Sequence, residues 1–122
     1  MWIVVVGLAM GVLIGLSFPN VLPASFASYL SIALLAALDS AFGGMRASLE
    51  GRFVPVTFVT GLVSNSVLAA LLTYVGDKMG VPLFDASLFA FGFRIFQNLG
   101  AIRHDLVDRW MKSRAKLRQE ST

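Results

Sequence analysis

Residues Leu34–Phe53 read LLAALDSAFGGMRASLEGRF. The stretch opens as an apolar run and then places Asp39 inside it. Nothing charged precedes Asp39 anywhere in the chain. Gly43-Gly44, Arg46, Glu50 and Arg52 follow. A carboxylate inside a hydrocarbon-soluble helix costs about 3 kcal/mol on insertion scales, so it needs a compensating partner. Finding that partner decides how the helices are arranged.

The surroundings fix the fold class. Hydrophobic residues make up 57% of the 122 residues and charged residues 14%. Soluble domains average about 45–50% apolar and about 25% charged. Residues 1–38 and Val54–Gly76 carry no charge, and about 20 apolar residues suffice to cross a bilayer. The chain therefore reads as an all-α, multi-pass membrane protein.

Four helices are expected. The first covers about Met1–Phe18 and is followed by Pro19, Asn20 and Pro23. Pro23 suits the start of the second, which runs to about Met45 or slightly beyond. The third covers about Val54–Val75. Gly76–Pro82 reads as a turn, and Asp85 reads as the N-cap of a fourth helix starting near Ala86. Small residues at Ser25-Phe26-Ala27 resemble a cleavage site, but no basic segment precedes the apolar run, so the first helix is expected to be retained.

Charge placement orients the spans. Through Ile102 four basic residues balance four acidic ones, and the whole net charge of +3 lies in the tail 103–122. Basic residues collect on the cytoplasmic side. Four spans put Arg46, Arg52 and the tail together inside, whereas three would separate them. The reading is a transmembrane domain over 1–102 with both termini cytoplasmic, and a basic cytoplasmic tail over 103–122. That tail suits anionic lipid better than nucleic acid, because Asp105, Asp108 and Glu120 dilute it. Asp105 precedes Arg109 by four residues and Asp108 precedes Lys112 by four, a spacing that supports helix.

The partner for Asp39 follows from depth. Asp39 lies seven residues before Arg46, about 10 Å deeper. Arg94 lies nine before Arg103, about 13 Å deeper. These opposite charges are expected to pair across helices 2 and 4. Gln97 and Asn98 are expected on the face of Arg94, and Asn65 lies near mid-membrane on helix 3. Together Asp39, Arg94, Asn65, Gln97 and Asn98 form the candidate polar face. Arg46, Glu50 and Arg52 form a cytoplasmic loop cluster. Gly7, Gly11 and Gly15, with Gly43 and Gly44, supply small surfaces for helix packing.

Enzymatic chemistry is not expected. There is no cysteine and only His104, which lies beside the tail. Serine–histidine–aspartate, paired-carboxylate and phosphate-loop patterns are missing from the sequence, and no metal or cofactor is implied. Association with lipid, with further copies of the chain and with other membrane proteins is the first functional reading. An oligomeric channel or transporter using the polar face is the alternative.

The motifs LDSxFGGxRAxLEGxF at 38–53, GDxxG at 76–80 and RIFQN at 94–98 resemble the bacterial small basic protein family. The likeness spans about Gly7 to Arg103. It implies a bacterial inner-membrane protein of no established activity, linked by gene context to cell division or envelope assembly. It supplies no mechanism.

Overall fold

The computed structural model describes residues 2–18, 21 and 23–122. Its helices are α1 (Trp2–Ser17), α2 (Ala27–Leu49), α3 (Pro55–Met79) and α4 (Leu83–Glu120), with a 3₁₀ turn at Ala24–Phe26 leading into α2. No strand occurs among the described residues. Pro19 and Asn20, expected to break the chain after α1, lie outside them. Pro23 precedes the 3₁₀ turn in extended conformation, and Pro55 opens α3, where a missing N–H costs nothing.

α2 is the hub of the bundle. It packs against α3 and α4, which also touch each other, while α1 touches α2 only lightly. Ile32, Ala36 and Ala69 form the core, with Leu35, Phe84 and Phe91 around it. Ile32, Ala36 and Asp39 are one turn apart, so a single face of α2 carries both the core and the carboxylate. Small core residues bring the backbones close, which is how helices associate where lipid gives no hydrophobic drive. At the opposite end from the Arg46 loop, the Tyr29 hydroxyl donates to Asp77 Oδ2 at 3.0 Å and joins α2 to α3.

Two helical segments, Ala24–Leu49 and Pro55–Met79, are long and apolar enough to cross a membrane. Only 22% and 11% of their apolar windows are buried. The core helix of a water-soluble protein would be mostly covered, whereas most of both windows here is open, as a surface that meets lipid or a partner protein would be. α1 has 16 residues, about 24 Å, against a hydrocarbon core of about 30 Å.

Three boundaries differ from the sequence reading. Gly76–Met79 belongs to α3, and the turn shrinks to Gly80–Pro82, with Gly80 at φ 68° ending the helix. α4 starts at Leu83 behind Pro82, so Asp85 is not its N-cap. It lies in the first turn, where a carboxylate favours the helix dipole. α4 also continues unbroken through residue 103 to Glu120. Asp108–Lys112 at 2.8 Å and Lys116–Glu120 at 3.9 Å support the extension as i,i+4 pairs.

Candidate functional site

Asp39 is fully buried on α2. Arg94 on α4 brings Nη2 to 3.4 Å from Asp39 Oδ2. The two charged residues from the apolar runs therefore meet across α2 and α4. Neither Asp39 oxygen receives a hydrogen bond, and the buried Ser40 Oγ has no partner either. Beside them is a cavity of about 270 Å³ lined by Asp39, Ser40, Gly43, Gly61, Asn65 and Arg94. It extends past Ala47 to Arg52, Phe53 and Val54, the loop between α2 and α3. The glycines shape this space because they have no side chains to fill it.

One to two turns nearer the loop is a second layer. Arg46 Nη1 donates to Asn98 Oδ1 at 3.4 Å. Asn98 also lies against Gly43, where an added Cβ would be 3.7 Å from its Nδ2. The seven-residue step from Asp39 to Arg46 keeps both side chains facing α4. Glu50 accepts from Arg46 Nε at 2.9 Å and from Arg52 Nε at 2.6 Å. These two bonds, the Arg46 bond first, hold the Glu50 carboxyl below the usual carboxylate range. The Arg109 guanidinium of the α4 extension donates to the Leu49 carbonyl at the end of α2. A single sequence offers no signal for that tie, because a backbone acceptor has no residue type.

A folded-state pKa below the ordinary value stabilises the loop above that value. The contribution disappears as pH falls through the lowered one. Protection of the Gly51 and Arg52 amides, with exchange corrected for its intrinsic pH dependence, is therefore expected to fall only when the pH drops below the ordinary carboxylate range. Glu50→Gln should show the same loss of protection at neutral pH.

Other expected residues fall differently. Gln97 is exposed and lines neither the polar cavity nor the Arg46 layer. A step of three residues turns about 60° one way and a step of four about 40° the other, so Asn98 faces α2 while Gln97 turns out. Gly44 makes a close contact: an added Cβ would be 2.8 Å from the Phe58 ring. A Cβ added at Gly7, Gly11 or Gly15 would meet nothing within 4 Å, so no close helix contact is made at these positions within the described chain. They border an apolar groove of about 600 Å³ between α1 and residues such as Leu34, Ala37 and Phe58. Among the described residues, no three His, Asp or Glu side chains are grouped to hold a metal.

The family described as "protein of unknown function (DUF1290)" matches residues 22–107. The chain belongs to this family. The DUF1290 match takes in α2, α3, the Asp39–Arg94 pair and the Arg46–Glu50–Arg52 cluster, and leaves α1 outside. A small basic protein of Bacillus subtilis (strain 168) is 44% identical over 114 residues, covering 93% of this chain and 94% of the relative. An alignment of that length extends past residue 103, so the likeness includes part of the tail, beyond the limit read from the motifs. Uncharacterized proteins of Mycobacterium tuberculosis and Mycobacterium bovis are each 45% identical over 104 residues, 84% of this chain and 86% of theirs. No solved structure gives a significant match.

Proposed function

We propose that this DUF1290 protein is a four-span bacterial inner-membrane protein with both termini cytoplasmic, acting as a scaffold for assembly. It works by binding further copies of itself and other membrane proteins of division or envelope assembly, and it is not an enzyme. The carrying observation is α1. This helix has glycines at every fourth position, all open, on the border of an unfilled apolar groove. In a bilayer such a stripe favours close helix–helix contact, and the chain's own helices leave it open.

The test is native mass spectrometry after gentle extraction from membranes. Defined assemblies are expected, and Gly11→Leu should dissociate them without unfolding the α2–α3–α4 bundle. A wild-type protein that is monomeric and alone in native extracts would end this reading. The topology is tested separately. Because the chain has no cysteine, Ser48→Cys and Ser121→Cys should label from the cytoplasm and Lys78→Cys from outside.

The polar cavity favours a second reading, an oligomeric channel or transporter. A fully buried carboxylate without hydrogen bonds, at the wall of a space reaching the α2–α3 loop, is where a permeating cation or proton would pause. Liposomes carrying the protein should then pass protons or alkali cations, and Asp39→Asn should stop them. No flux under either gradient excludes the transport role.

A further inference from the structure

The α4 extension sorts its charges by face. Asp105, Asp108, Arg109, Lys112, Lys116 and Glu120 occupy one arc of about 120° at 100° per residue. Most of these charges are satisfied. Asp108 pairs with Lys112, Lys116 with Glu120, and Arg109 is tied to Leu49. The opposite arc holds Val107, Trp110, Met111 and Leu117, which are 50%, 58%, 59% and 63% exposed. Within it lie Arg103, Arg114 and Arg118, and no acidic side chain comes within 4 Å of any of them among the described residues. Arg114 instead lies over the Trp110 ring, 4.6 Å from its centroid.

Arg103, Val107, Trp110, Arg114 and Leu117 follow one another at steps of four, three, four and three. That is the heptad spacing of a helix that lies along another helix. We propose that this face of α4 is a docking seam for an acidic amphipathic helix of another membrane protein, running parallel to α4 just inside the membrane. The proposal rests on the four-span reading, which puts the extension in the cytoplasm, and it names the kind of partner that reading requires.

An acidic helix fits this face where a second copy or a lipid surface does not. A second copy would also run parallel to α4, but it would set Arg103 and Arg114 against their own counterparts, and like charges at an interface oppose pairing. A lipid surface is geometrically remote from the distal part of the seam. α4 is one unbroken helix of 38 residues, about 57 Å, whose first half is packed in the bundle. The Arg109–Leu49 tie holds its second half in line past the end of α2. Leu117 is thus about 22 Å beyond Ile102 along the axis, well outside a Debye length of about 8–10 Å. A partner with apolar heptads and carboxylates opposite the three arginines covers the exposed apolar residues and neutralises the cations together.

The probe is a designed helical peptide of about three heptads with leucine at the seam and glutamate facing the three arginines. It carries an N-terminal myristoyl chain, so that it leaves the bilayer parallel to α4. The full chain with Trp2→Phe, in phosphatidylcholine nanodiscs, makes Trp110 the sole indole. The glutamate peptide should shift Trp110 emission to the blue, and the same peptide with lysine should not. Arg103→Gln/Arg114→Gln/Arg118→Gln should weaken binding about tenfold, from three exposed ion pairs. Lys112→Gln/Lys116→Gln should leave it unchanged.

Equal binding of the two peptides would overturn the proposal. So would a blue shift without peptide, whether on adding phosphatidylglycerol (a lipid surface) or on raising protein density (a second copy). Acrylamide and brominated lipid separate this outcome from a failed topology. If Trp110 is quenched by the lipid before any peptide is added, the four-span reading and the seam both fall. If it is quenched by acrylamide and ignores the glutamate peptide, the seam alone falls.

Discussion

Arg94→Gln is expected to destabilise the bundle by about 2 kcal/mol, and Asp39→Asn by less. Asp39 is fully buried, and neither oxygen has a hydrogen-bond partner. Among the described residues, Arg94 is the one cation within 4 Å of it, at 3.4 Å. Removing one member of a buried pair costs about 3–5 kcal/mol, whereas an exposed pair contributes about 0–1 kcal/mol. The Arg94 side chain is 56% exposed, which places the expected loss between those limits. Asp39→Asn removes the charge that needed compensation. The flexible Arg94 that remains, already 56% exposed, can turn its guanidinium to a more polar environment. The double variant should therefore be more stable than the sum of the two single losses implies. Chemical unfolding of all four proteins in one detergent gives the coupling. Additive losses would mean that the pair does not hold α2 to α4.

How far this arrangement was legible depends on which physics was decisive. The Asp39–Arg94 contact could be anticipated because hydrocarbon punishes isolated charge, and the two depths below Arg46 and Arg103 agreed. The Arg46–Asn98 bond was not anticipated, because the sequence placed Arg46 in the loop cluster and Asn98 on the polar face. Gln97 was misplaced because three- and four-residue neighbours look equivalent in a sequence, although a packed interface accepts only one of them. The buried face of α4 passes through Ser87 and Ile102, and Asn98 continues it. Asp77 and Lys78 suggested a turn by their polarity, yet the helix continues through them. Asp77 accepts from Tyr29, and Lys78 lies 5.5 Å from the centroid of the Tyr74 ring. The glycine stripe of α1 announced a close contact without naming its partner, and Gly7, Gly11 and Gly15 stay open. The Arg109 bond to a main-chain carbonyl had no sequence signature at all.

Gly76→Ala is expected to cost about 2 kcal/mol, although alanine is the better helix former. Gly76 is buried near the end of α3, where the chain folds back over it. Val81 N–H donates to the Gly76 carbonyl at 3.0 Å, and Gly80 turns the chain at φ 68°. A Cβ on residue 76 would be 2.7 Å from the Val81 carbonyl oxygen and 2.8 Å from Leu83 Cβ. Neither atom is the loose end of a flexible side chain. Yielding would shift the turn that positions the first residue of α4. Overpacking of this kind costs about 1–3 kcal/mol, and displaced turn hydrogen bonds add to it. The helix-propensity gain of about 1 kcal/mol offsets only part of that. Gly92 provides the control, because it lies within α4 and an added Cβ there meets nothing within 4 Å. Gly92→Ala should keep the propensity gain and raise the unfolding midpoint, while Gly76→Ala lowers it. Equal midpoints for the two variants would mean that the chain does not cross Gly76 as closely as the α3–α4 turn requires.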